Sequence, residues 1–100
     1  MSRREQYAPS IMQTDCRCFL CGNQNPEQLD RHEPFGGGLR QKSKKYGMWM
    51  YLCHDSCHLN GAHKDPLIKK YLIEVTQKMA MSHYGWSTEE FINLFGKNFI

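Results

Sequence analysis

Cys18-Phe19-Leu20-Cys21-Gly22 and Cys53-His54-Asp55-Ser56-Cys57-His58 are the two runs on which the fold of this chain turns. A Cys-x2-Cys spacing lets two thiolates reach one ion from a single turn, and Gly22 suits the tight turn that follows. Cys53 and Cys57 offer a second half-site at a looser Cys-x3-Cys. Structural zinc takes four tetrahedral sulfur or nitrogen ligands, so Cys18, Cys21, Cys53 and Cys57 are the expected set. Cys16 or His58 could replace one of them.

Composition supports a metal over disulfides. The chain has 100 residues and five cysteines, an odd number. Domains this small bury a limited core and commonly need a staple. The opening run Ser2-Arg3-Arg4-Glu5-Gln6 is charged and no apolar segment follows it, so no export signal is expected. Knuckle-spaced cysteines without such a signal suggest a reducing, cytoplasmic setting. No stretch approaches the run of about 18 apolar residues that spans a membrane.

Working outward, residues 1–14 lack periodicity and are expected to be a flexible arm, leaving 15–100 as one zinc-containing domain. Gln28–Glu33 is a candidate strand ended by Pro34, and Met48–Leu52 runs as a stronger strand into Cys53. Between them, Phe35–Lys45 has the composition of a loop, with Gly36-Gly37-Gly38 followed by basic residues. Cys57–His63 has room only for a short helical turn or irregular segment, broken at Gly61.

Two helices close the chain. Asp65 can cap the first, Pro66 fits its first position, and Leu67, Ile68, Tyr71, Leu72, Val75 and Met79 form an apolar stripe up to Gly85. Ser87 and Glu90 form a capping box for the second, which carries Phe91, Ile92, Leu94 and Phe95 and stops at Gly96. The expected class is α+β, a small zinc-stapled domain with two C-terminal helices.

Two features point to function. If zinc ties Cys21 to Cys53 and Cys57, the end of the first strand is drawn toward the segment after the second, and His32 toward His58 and His63. His54 and His83 carry no such expectation. The net charge of +3 is modest, but Arg40, Lys42, Lys44 and Lys45 fall within six positions and could neutralise several phosphates of DNA.

With a histidine on the first strand, a histidine pair beyond the second, and two cysteine knuckles, the chain resembles the HNH endonucleases, the ββα-metal or His-Me finger group. The runs Arg31-His32-Glu33-Pro34-Phe35-Gly36-Gly37, Ser43-Lys44-Lys45-Tyr46-Gly47, Tyr51-Leu52-Cys53 and Phe95-Gly96-Lys97-Asn98 look like small members encoded by phages and prophages. The resemblance implies a ββα-metal fold and hydrolysis of DNA phosphodiester bonds. It implies a divalent ion such as Mg2+, Mn2+ or Ni2+ at the scissile phosphate, and a host-cell cytoplasmic location. Many members carry two adjacent histidines where this chain has His32-Glu33. Either His32 is a metal ligand and Glu33 occupies the seat of the catalytic base, or His32 is the base and Arg31 stands at a ligand position. His58 and His63 would complete the metal seat, with Asn60 a possible substitute. The alternative expectation is a zinc module that keeps the fold, cleaves weakly or not at all, and binds DNA or a host protein.

Overall fold

Leu29–His32 (β1) and Met50–Cys53 (β2) pair antiparallel, with Leu29 opposite Cys53 and His32 opposite Met50. The computed structural model describes residues 7–100. Side chains alternate across a strand, so Met50 and Leu52 face the interior and are fully buried. Among the described residues three α-helices complete the α+β architecture: α1 (Arg40–Lys45), α2 (Pro66–Tyr84) and α3 (Thr88–Phe95). Between β2 and α2 lies a π-helical segment, His54–Ala62.

The cysteine knuckle is built as its residues suggest. Gly22 takes a φ of 82° and donates its amide to the Cys18 carbonyl at 2.9 Å, closing the turn. Phe19 donates to the Tyr51 carbonyl at 2.7 Å, which places the knuckle against β2. Cys18 and Cys53 share one apolar cluster with Met12, Met50, Leu52, Ala62 and Leu72. A second cluster joins Phe35, Met48, Ala80, Phe91 and Phe95.

Several expectations need correction. Residues 1–6 of the expected arm lie outside the described residues, but 7–14 are tied down along residues 44–51. Ala8 donates to the Lys44 carbonyl at 2.8 Å, Ile11 to Gly47 at 2.9 Å, and the Tyr51 amide to Gln13 Oε1 at 2.7 Å. These residues lack periodicity because the surface they follow is irregular, and Met12 still buries its side chain. The segment 35–45 is not all loop. A 3-10 turn over Gly37–Leu39 leads into α1, where buried Ser43 donates to the Phe35 carbonyl at 2.7 Å. Lysine and glutamine favour helix, and the glycines masked that signal.

On α2 the cap is as expected, with Asp65 accepting from the Leu67 amide at 2.9 Å and Gly85 left-handed after Tyr84. Its buried face overlaps the expected stripe at Leu72, with Ile68 and Val75 packed against the first cluster, but is turned from the rest. Leu72, Thr76, Gln77 and Ala80 are buried, while Leu67, Tyr71 and Met79 are exposed. Gln77 lies inside because its amide is satisfied: Nε2 donates to Asn98 Oδ1 at 2.7 Å, and Oε1 accepts from the Phe99 amide at 2.9 Å. The capping box of Ser87 and Glu90 on α3 forms as expected, burying Phe91 and Phe95 but leaving Ile92 exposed.

Gly47 links the N-terminal segment to this frame. Its φ is +70°, and a Cβ there would stand 2.2 Å from the Pro9 carbonyl oxygen. Backbone strain and steric overlap act together, so Gly47→Ala is expected to cost about 2 kcal/mol or more. Urea denaturation checks this. A loss below about 0.5 kcal/mol, the range of neutral surface changes, would show that 7–14 do not dock as described.

Candidate metal centres

The sulfurs of Cys18, Cys21, Cys53 and Cys57 converge, each within 4.8 Å of the others. Ligands around tetrahedral zinc at ~2.3 Å stand roughly 3.8 Å apart, so little adjustment closes the set on one ion. Cys21 and Cys53 sulfurs are already 3.3 Å apart. The backbone amides of Cys21 and Cys53 both donate to Cys18 Sγ at 3.4 Å.

The electrostatics fit a cation. Burial opposes ionisation of Cys18, but the amides of Cys21, Cys53 and Leu20 outweigh it and lower its pKa to about 6. Burial leads the causes that raise the pKa of Cys57. At Cys53, the hydrogen bond from Asn23 lowers the pKa, but burial and the neighbouring Cys21 and Cys18 prevail and raise it. One thiolate thus discourages the next until a cation neutralises them. Cys16 is exposed and outside the set, so its place as an alternative ligand is not supported. His58 belongs to the other cluster.

That cluster is His32, His58 and His63, whose ring nitrogens also lie within 4.8 Å of one another. The expected convergence is therefore present. Its means differ from expectation, because the segment carrying His58 and His63 is a nine-residue π-helix. A π-helix repeats at i→i+5, the spacing of these two histidines, and the His63 amide donates to the His58 carbonyl at 3.0 Å. Gly61 does not break the segment. It is buried inside it, where a Cβ would press at 3.3 Å on the Ser56 carbonyl oxygen.

Asp30 is a member of this site that the sequence motifs do not single out. Its Oδ2 accepts from Nδ1 of His58 at 2.9 Å and from Nδ1 of His54 at 2.6 Å. The hydrogen bond from His58 is the largest cause holding the Asp30 carboxyl below the usual range. An ionised carboxylate only accepts, so Nδ1 of His58 carries a proton, and in the neutral ring the lone pair then lies on Nε2. That Nε2 faces Nε2 of His63 at 2.9 Å. A cation between two imidazole lone pairs turns this approach into ligation, and a carboxylate behind a ligating histidine fixes its orientation. The signal was present in the sequence: Asp30 precedes His32 by two residues, the period of one strand face.

His32 is buried, and its pKa falls to about 3, first because of burial and then because of the positive fields of His58, His63 and Lys69. Its imidazole is thus neutral and available as a ligand or proton acceptor. The folded value lies below the unfolded value near 6.5, so protons favour the unfolded chain and stability falls as pH drops through the mid-acid range. Without added divalent ion, going from pH 7 to 5.5 should cost about 1 kcal/mol through His32. Exposed His54, its pKa raised chiefly by the Asp30 hydrogen bond, works in the opposite sense. Urea titrations across this range should show a clearly flatter slope for His32→Gln than for wild type. Equal slopes would refute the assignment.

Glu33 does not occupy the role of a free base. Its Oε2 accepts from the Tyr7 hydroxyl at 2.7 Å and its Oε1 from Nε of Arg40 at 2.9 Å. Both oxygens are held, one by a cation, so the carboxylate works as a tether between the N-terminal segment and α1. Nor is Arg31 a ligand. It lies on the strand face opposite His32, its guanidinium carbon 4.6 Å from the centre of the Tyr7 ring. Asn60 donates to the Asp55 carbonyl at 2.9 Å and is no substitute for a histidine.

Of the expected basic patch only Lys44 is buried; Arg40, Lys42 and Lys45 stay exposed, each with a partner inside the chain. Arg40 pairs with Glu33, Lys42 donates to the Leu94 carbonyl, and Lys45 lies 5.3 Å from the centre of the Tyr46 ring. Lys44 is 2 % exposed, its ammonium against Tyr7. Folding α1 turned Lys44 inward, which a run of charges cannot reveal.

No family model, curated protein or solved structure matches the chain. No helix among the described residues is long and apolar enough to cross a membrane.

Proposed function

We propose that this chain is a metal-dependent DNA endonuclease with the ββα-metal arrangement of the HNH group, stapled by zinc at Cys18, Cys21, Cys53 and Cys57. The observation that carries the proposal is the meeting of His32, His58 and His63, with Asp30 behind His58, where two strands and the following helical segment converge. Three imidazole ligands suit Ni2+ or Zn2+ better than Mg2+, which prefers oxygen. When bound there, such an ion polarises the scissile phosphate and stabilises the leaving oxygen. His58 presents Nε2 to the ion because Asp30 holds Nδ1, and buried His32 stays neutral so that proton competition is weak. With Glu33 tethered, His32 ligates rather than leaving that place to Arg31.

The tethered Glu33 also supports a second reading, a module of this fold that binds DNA or a protein with little cleavage. Plasmid nicking separates them. Wild type with Ni2+ or Mn2+ should relax supercoiled DNA faster than with Mg2+. Binding without cleavage under every ion would leave the second reading.

A further inference from the structure

We propose that a DNA strand crosses the histidine centre along a track bounded by Arg31 and Lys69, in place of the Arg40–Lys45 block; this rests on the nuclease proposal above. The three histidines are divided between two concavities. His58 lines a shallow groove of about 560 Å³ with Asp30, Arg31, Tyr51 and Tyr7. His32 and His63 line a cavity of about 260 Å³ with Gly36, Gly37 and Lys69. A chain of phosphates laid from one to the other passes the place where the three imidazoles meet, with one cation on either side.

Each cation is suited to the task. Arg31 is exposed, and its guanidinium carbon lies 4.6 Å from the Tyr7 ring centre and 5.2 Å from that of Trp49. Those two rings meet edge to face at 5.5 Å, so the guanidinium rests on a fixed aromatic support. Stacking satisfies its faces but not its N–H edge, the part that matches phosphate. Among the described residues that edge makes no hydrogen bond or ion pair. Lys69 is exposed on the first turns of α2, and among the described residues its ammonium likewise makes no hydrogen bond or ion pair. Asp30 and Glu33 also line the two concavities, but the first is bonded to His54 and His58 and the second to Tyr7 and Arg40. On the far side of Asp30 another groove adds Glu27 and Asp55 with no lysine or arginine, which disfavours a polyanion there.

The test is fluorescence anisotropy of a short DNA duplex on the zinc-loaded protein without added catalytic ion, titrated over salt. Arg31→Ala and Lys69→Ala should each weaken binding about tenfold and lower the salt slope by about one. Lys42→Ala and Lys78→Ala should change affinity less than about twofold, because one is bonded to Leu94 and the other lines neither concavity. Lys69→Glu should be worse than Lys69→Ala. Melting temperatures equal to wild type, expected for exposed positions, exclude misfolding as the cause. The track is overturned if wild type does not bind, if the Arg31 and Lys69 variants bind like wild type, or if Lys42→Ala alone produces the loss. Binding that depends on Arg31 and Lys69 without cleavage under any ion upholds the track while removing the nuclease proposal. Cleavage indifferent to both residues does the reverse.

Discussion

Cys18→Ser is expected to leave the chain unfolded. Cys18 is 1 % exposed, accepts two backbone amides, and sits where the knuckle, β2 and the buried Met12 meet. Serine is a poor zinc ligand, and its hydroxyl would be placed among apolar groups with three remaining thiols. Structural zinc contributes about 10–16 kcal/mol in small zinc-binding peptides, as much as the whole stability of an ordinary domain. Circular dichroism should show loss of the α2 helical signal, and zinc should no longer co-purify. Cys16→Ser, altering an exposed thiol outside the cluster, should fold and hold zinc as wild type does. A folded Cys18→Ser protein would mean that the apolar clusters suffice without the ion.

That contrast was only partly open to a reader of the sequence: spacing marks Cys18 and Cys21 as a knuckle but leaves Cys16 a candidate ligand, which the geometry of the cluster excludes. The two C-terminal helices were equally legible, because Asp65-Pro66 and Ser87 with Glu90 are local signals that need no tertiary partner. What could not be read were features decided by packing. Which face of α2 turns inward depends on Gln77 finding Asn98 and the Phe99 amide, residues about twenty positions away. The fate of Lys44 depends on Tyr7 crossing over it. The π-helical spacing of His58 and His63 is fixed by a segment whose own sequence, with Asn60-Gly61 inside, suggests interruption. Asp30 was visible by strand period but overshadowed by the adjacent His32-Glu33 pair.

His32→Ala should reduce DNA cleavage on the order of 10³-fold or more, the scale of losing a residue at the reacting centre. It removes the buried member of the three-histidine set, the one least open to proton competition. Fold and zinc content should survive, since His32 lies outside the cysteine cluster, and melting with zinc analysis verifies this. Asp30→Asn should act more mildly. Asparagine keeps an acceptor for Nδ1 of His58 but not the negative charge, so affinity for Ni2+ or Mn2+ should fall about 10–100-fold. Saturating metal should restore much of the Asp30→Asn activity and none of the His32→Ala activity. If both variants respond alike, Asp30 does not act through His58. If His32→Ala cleaves at the wild-type rate, the histidine centre is not the site of the chemistry.

The geometry offers two separate centres, one of cysteine sulfurs and one of imidazoles. Cobalt titration of metal-free protein, followed by visible absorption, resolves them. A first equivalent should enter with the intense thiolate-to-metal band as the chain folds, and a second should bind more weakly without adding to that band. Changing His32, His58 and His63 together to alanine should abolish only the second. A single ion per chain, or a second ion that persists without the three histidines, would contradict the two-centre structure.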